Sequence, residues 1–143
     1  MIMSKILVVE DEASLRLFYK QDLEQAGYEV LAVGSGSEGL RVLEADWPDL
    51  VVLDIRLPGM DGLDAMGRML NKHPRVPIVL NTGYSSYKDN FLSWAADAYV
   101  IKSSDTEELR AKIRNLLEAR QFGAFRRPET GRTTFSTQAQ QSP

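Results

Sequence analysis

Hydrophobic positions along the chain fall into two alternating patterns. Five short runs, at 6–9, 29–33, 50–53, 78–80 and 98–101, are rich in Val, Ile and Leu, and several are continuously apolar. Such runs read as parallel strands covered on both faces. The segments between them are helical. Residues 14–26 carry Leu15, Phe18, Tyr19, Leu23 and Ala26 at helical spacing, and Gly27 follows as a left-handed cap. Ser35 and Glu38 form a capping box before Leu40, Val42 and Leu43. A third helix follows Asp61 and reaches Asn71, a fourth covers about 85–95, and a fifth opens at Ser104 with Glu107 three residues on. Strands alternating with helices make βαβ units and a parallel sheet, with right-handed crossovers that place helices on both faces. Ligands of such sheets bind beyond the carboxyl ends of the strands.

Those strand ends hold a specific inventory. Glu10, Asp11 and Glu12 follow the first strand, Asp54 the third, Asn81-Thr82 close the fourth and Lys102 follows the fifth. Clustered carboxylates repel unless a cation sits among them, and Mg²⁺ suits hard oxygen ligands. One carboxylate left free to attack can form an aspartyl phosphate, with a lysine ammonium and a threonine hydroxyl serving the phosphoryl oxygens.

Four segments carry a resemblance. Val8-Val9-Glu10-Asp11-Glu12, the run from Asp54 through Pro58-Gly59 to Gly62, Asn81-Thr82-Gly83-Tyr84-Ser85 and Tyr99-Val100-Ile101-Lys102 are similar to the receiver domains of two-component response regulators, over about residues 4–120. The resemblance implies a flavodoxin-like doubly wound α/β fold with five parallel strands in the order 2-1-3-4-5 and five helices. It implies that Asp54 accepts a phosphoryl group from a histidine kinase or phosphotransfer protein, in a Mg²⁺-dependent reaction. Asp11 would bind the metal directly, Glu10 through water, and Asp54 and the backbone carbonyl of Arg56 would complete the protein's share. Lys102 and Thr82 would contact the phosphoryl group, and Thr82 with Tyr99 would form the switch. Pro58-Gly59 would turn the chain beyond Asp54. The surface of the fourth helix, fifth strand and fifth helix would dock a downstream protein whose identity the sequence does not give. Such a protein is a slowly autodephosphorylating phospho-acceptor, not a free-standing enzyme, and is a monomer or a phosphorylation-dependent dimer.

The chain departs from the family pattern at Ser103, where receivers usually have proline after a cis bond. A cis bond before a non-proline residue costs about 3 kcal/mol. The reading favours a cis bond held by a well-packed loop, with a trans, rearranged loop as the alternative. Arg56 and Tyr84 each lie two residues beyond a site residue, and bulk there is expected to shield an aspartyl phosphate from water. Glu12 and Asp61 read as helix-capping or solvated acids, and His73, before Pro74, as a loop residue.

Composition narrows the classes. The chain has 143 residues, 43% hydrophobic and 26% charged, with no cysteine and one histidine. Disulfides, thiolate metal sites and multi-histidine centres are excluded. No apolar run is long enough to span a membrane, and a cytoplasmic location is expected. Residues 1–120 hold 14 Lys+Arg and 19 Asp+Glu, a balance of −5, which argues against direct nucleic-acid binding. These residues form one domain. Residues 121–143 are polar, with a balance of +2, and read as a flexible tail. No second periodic domain follows Arg120, so a stand-alone receiver is expected. Three other readings compete. Residues 34–39 match G-x-G-x-x-G, but after the second strand and beside an acidic loop that would repel a pyrophosphate. A haloacid-dehalogenase-like phosphatase would need an aspartate where Arg56 stands. A pseudo-receiver that docks proteins without being phosphorylated is the alternative with the same fold.

Overall fold

A computed structural model describes residues 3–83 and 95–121. Strand β1 (Lys5–Val9) leads to helix α1 (Ala13–Gln25), then β2 (Glu29–Val33), α2 (Gly36–Asp46), β3 (Leu50–Leu53), α3 (Gly62–Lys72), β4 (Ile78–Thr82), β5 (Ala98–Ile101) and α4 (Glu107–Gln121). All five strands are parallel, in the order β2-β1-β3-β4-β5. This is the expected doubly wound sheet. The predicted helix at 85–95 lies almost wholly outside the described residues, as do 122–143 of the tail. Four helices stand among the described residues, and α4 is the predicted fifth.

Alternation along the strands divides the core in two. Leu7, Val9, Val51, Leu53, Ile78 and Leu80 point to one side, where Leu43 of α2 and Met66, Met69 and Leu70 of α3 cover them. Ile6, Val8, Leu50, Val52, Val79 and Val100 point to the other, beneath Tyr19 and Leu23 of α1 and Leu109 and Ile113 of α4. Each fully buried Leu or Ile contributes roughly 2 kcal/mol by leaving water.

Local chemistry sets the helix ends. At α1 the Tyr28 N–H donates to the Leu23 carbonyl and the Gly27 N–H to that of Glu24, around Gly27 at φ +102°. That pair of bonds is a Schellman motif, and it needs the left-handed residue that glycine supplies. At α2, Ser35 Oγ accepts from the Glu38 N–H at 3.2 Å, while Glu38 Oε1 reaches back to the Gly34 N–H at 3.1 Å. Asp61 caps α3 by accepting from the Leu63 N–H at 2.7 Å.

Two expectations are corrected. Helix α4 opens at Glu107, not Ser104. Ser103 Oγ accepts from the Asp105 N–H at 3.1 Å and Asp105 Oδ1 from the Glu107 N–H at 2.9 Å, so successive side-chain turns hold the chain out of the helix. No described peptide bond is cis, so Lys102–Ser103 is trans. Without proline the trans form is favoured, and those turns give the loop a trans route. His73 is also more than a loop residue. It caps the C-terminus of α3, is buried, and its ring lies 4.4 Å from that of Trp47.

Candidate functional site

The carboxyl ends of β1, β3 and β5 converge on a cavity of about 580 Å³, lined by Glu10, Asp11, Glu12, Asp54, Arg56, Leu57, Pro58 and Lys102. Strand parity explains the convergence. Glu10, Asp54 and Lys102 continue the α1-facing rows of Val8, Val52 and Val100. Each is thrown to the same side of the sheet at its rim.

Lys102 Nζ sits 2.6 Å from Glu10 Oε1 and 2.8 Å from Asp54 Oδ2. Glu10 and Asp54 are buried, and Asp11 is exposed at the mouth. The three carboxylates offer oxygens within 4.8 Å of one another. One ammonium shared by two buried carboxylates leaves a net negative charge. Burial raises the Glu10 carboxyl above its usual range, and nearby Asp54 adds to this, against the opposing bonds from Lys102 and the Glu12 N–H. Burial also pulls Lys102 down, but its bonds to Asp54 and Glu10 outweigh this and its pKa is raised. The lysine is therefore well satisfied while the carboxylates remain under-neutralised. That condition, with hard oxygen donors facing an open cavity, fits a divalent cation of the magnesium kind.

Other groups shape the site. The Arg56 N–H donates to Asp54 Oδ1 at 3.3 Å, and Arg56 lines the cavity. Gly59 at φ +75° follows Pro58 in the turn, as expected. The Gly62 N–H donates to the Ile55 carbonyl at 2.8 Å. A Cβ on Gly62 would stand 2.0 Å from the Asp54 carbonyl oxygen, so α3 begins hard against the backbone of Asp54. Thr82 ends β4, fully buried, and its hydroxyl has no partner. An orphaned buried hydroxyl costs free energy unless something completes it, and a phosphoryl oxygen is a suitable acceptor. The Lys102 N–H bonds the Thr82 carbonyl at 2.8 Å, so the two residues are fixed side by side. Tyr99 lies half-buried in β5 and packs against the α2–α3 side of the core, the side to which Thr82 also points. Of the expected docking face, β5 and α4 are described, while the predicted fourth helix lies almost wholly outside the described residues, as does Tyr84.

Arg16 was not singled out from the sequence. Its guanidinium donates to the backbone carbonyls of Glu10 at 2.8 Å and Asp11 at 3.2 Å, tying α1 to the acidic loop. Nothing in its local pattern signals this, because both partners are main-chain atoms. Glu12 stands at the start of α1 without capping it through its side chain.

Residues 6–114 match the response regulator receiver domain family, and the chain belongs to that family. Among curated proteins it is 39% identical over 115 residues to a ycf27 protein of Cyanophora paradoxa, described as a probable transcriptional regulator. That match covers 79% of this chain and 48% of the relative. It is 33% identical over 122 residues to the alkaline phosphatase synthesis transcriptional regulatory protein PhoP of Bacillus subtilis, covering 84% and 51%. The chain thus spans about half the length of the curated relatives it matches. Among solved structures, the response regulator TrrA of Thermotoga maritima, in complex with Mg²⁺–BeF, matches at 41% identity and a TM-score of 0.77, covering 79% of this chain and 98% of that one. TrrA has also been solved in complex with the histidine kinase ThkA. A CheY-like receiver domain of Methanospirillum hungatei matches at 31% identity and a TM-score of 0.81, covering 85% and 99%. Among the described residues no helix is long and apolar enough to cross a membrane.

Proposed function

We propose that this receiver takes a phosphoryl group on Asp54 from a phosphohistidine of a kinase or phosphotransfer protein and signals by presenting an altered surface to a partner protein. The observation that carries this reading is the Lys102 ammonium held 2.8 Å from Asp54 in a cavity shared with Glu10 and Asp11. An Asp54 carboxylate oxygen forms the new bond to phosphorus. The phosphorus–nitrogen bond of the donor breaks, and the imidazole nitrogen keeps the electron pair. Lys102 supplies positive charge to the phosphoryl oxygens, which costs little reorganisation because it already stands there. The Thr82 hydroxyl donates to one of those oxygens, its first partner, and moves toward it. Asp11, Asp54 and the Arg56 carbonyl would hold Mg²⁺, with Glu10 acting through water, and the ion would neutralise charge gathered during transfer. The switch is a shift between two conformations biased by the contacts to Thr82 and Lys102, with Tyr99 following Thr82. The family and the TrrA–ThkA complex support a kinase as the donor.

The test is incubation with acetyl phosphate and Mg²⁺, read by intact mass beside Asp54→Asn. A Mg²⁺-dependent gain of one phosphoryl group, absent in the variant, is expected. No gain from acetyl phosphate or from a purified histidine kinase, with folding verified, would establish the phosphorylation-independent docking module instead. Arg56→Ala is expected to shorten the lifetime of the phosphorylated form by opening the cavity to water; an unchanged lifetime removes the shielding role.

A further inference from the structure

Arg16 is a cation beside the acidic loop whose hydrogen bonds go to main-chain oxygens. It is the fourth residue of α1, close to the helix end where the dipole disfavours positive charge, and the first turn holds no acidic residue to offset it. A residue placed against a local preference points to a use elsewhere. Helical side chains lean toward the N-terminus, so Arg16 reaches back over the loop that leads into α1. There a single nitrogen, Nη1, donates to the Glu10 carbonyl at 2.8 Å and to the Asp11 carbonyl at 3.2 Å. Gly34 makes the room: a Cβ on it would lie 3.0 Å from Nη1, so the guanidinium rests over a residue with no side chain just beyond β2.

The two carbonyls are not equivalent in what they fix. Glu10 is already held through its other polar atoms. Its N–H donates to the Val33 carbonyl at 3.0 Å, Lys102 meets Oε1 at 2.6 Å, and the Glu12 N–H donates to Oε2 at 3.1 Å. Asp11 is exposed at the mouth of the cavity, so packing does not hold its side chain. Its direction is set by its backbone, which has only two soft dihedrals, one toward each neighbouring peptide plane. The Glu10 carbonyl belongs to the plane before the Asp11 α-carbon, and the Asp11 carbonyl to the plane after it. Arg16 therefore ties both planes to one nitrogen, and with them the direction in which the Asp11 side chain leaves the chain. Because the acceptors are carbonyls, the carboxylate oxygens that lie within 4.8 Å of those of Glu10 and Asp54 are left to a cation.

We infer that Arg16 is a positioning residue of the metal site: by clamping the peptide planes on either side of Asp11 it aims the Asp11 carboxylate into the cavity. This rests on the reading of that cavity as a Mg²⁺ site. Two consequences separate positioning from simple charge. A positive charge so near repels a divalent cation, so if charge were its only effect, removing Arg16 would tighten binding. Positioning has the opposite sign. It also discriminates between ions, because Mg²⁺ demands near-ideal octahedral geometry whereas Ca²⁺ accepts flexible coordination.

The test reads Mg²⁺ and Ca²⁺ binding by titration calorimetry in the full chain, in Arg16→Met and in Arg16→Gln. Both replacements are good helix formers at a half-buried position, and they remove the clamp with an apolar and a polar side chain. In both, Mg²⁺ affinity is expected to fall about tenfold, the scale on which loss of a group orienting a metal ligand acts. Ca²⁺ affinity is expected to fall by no more than about twofold, since its coordination adapts to a loosened ligand. Mg²⁺ affinity that stays the same or rises makes Arg16 a nearby charge or a structural tie, and overturns the inference alone. Equal losses for the two ions also overturn it, as general loosening of the loop. A parent that binds neither ion overturns the metal reading of the cavity and the role of Arg16 with it.

Discussion

The same substitution at two glycines of α3 should have opposite signs. A Cβ added at Gly62 would stand 2.0 Å from the Asp54 carbonyl oxygen and 2.7 Å from the Ile55 Cα. Both neighbours are backbone, so neither can rotate away, and the start of α3 must move off β3. Overpacking of that kind costs roughly 1–3 kcal/mol. The displacement also strains the 2.8 Å bond from the Gly62 N–H to the Ile55 carbonyl, for about 1 kcal/mol more. Gly62→Ala is therefore expected to lose about 2–4 kcal/mol, a fall of roughly 5–15 °C in Tm for a domain of this size. Gly67, five residues along the same helix, is exposed and a Cβ there meets nothing within 4 Å. Gly67→Ala should gain up to about 1 kcal/mol from helix propensity alone. Urea unfolding followed by circular dichroism measures both, with equal m-values required for the comparison. A Gly62→Ala protein within about 0.5 kcal/mol of the parent would refute the close approach. Because the clashing atom belongs to Asp54 itself, the variant should also phosphorylate more slowly than its stability loss explains.

Lys102→Met should leave the buried Glu10 and Asp54 carboxylates without their shared cation, for a loss on the order of 3 kcal/mol at neutral pH. Added Mg²⁺ should restore more of the variant's thermal midpoint than it adds to the parent's, and an equal response in both would refute the shared-cation account. Burial lowers the His73 pKa, and Arg120 adds to this against the pull of Asp49. The stability contributed by neutral His73 is present above its ordinary 6.5 and is lost as pH falls through the depressed folded value. The parent should therefore weaken, relative to His73→Gln, between pH 7.5 and the acid side, by at most about 1.4 kcal/mol per pH unit; parallel denaturation curves in both proteins would remove the effect. Ser35→Ala deletes the α2 cap and should cost about 1 kcal/mol in urea unfolding, whereas a loss below about 0.3 kcal/mol would mean the Glu38 contact to Gly34 suffices alone.

The β-runs at 29–33, 50–53 and 98–101 coincide with strands, and the other two differ only at their ends, because an apolar run flanked by turn residues has few alternatives in a buried parallel sheet. Capping at Ser35 and Asp61 was equally legible, being chemistry between neighbours in sequence. The Ser104–Glu107 pair shows the limit. It has the letters of a capping box, but Ser103 and Asp105 compete for the same backbone donors, and Thr106 is drawn away to Asp22 Oδ2 at 2.8 Å on α1. A local pattern lost to a contact 84 residues distant.

The sequence by itself determined the fold class, the family and which strand ends carry acid, hydroxyl and amine, since periodicity and short motifs are properties of neighbouring residues. The tertiary structure decided what those groups do to one another. It put one ammonium between Glu10 and Asp54, tied the acidic loop to Arg16 through main-chain oxygens and pressed Gly62 against the Asp54 carbonyl. Each of these depends on strand order and on which face a side chain leaves, and neither can be read along a single strand: they are fixed only when β1, β3, β4 and β5 are laid side by side.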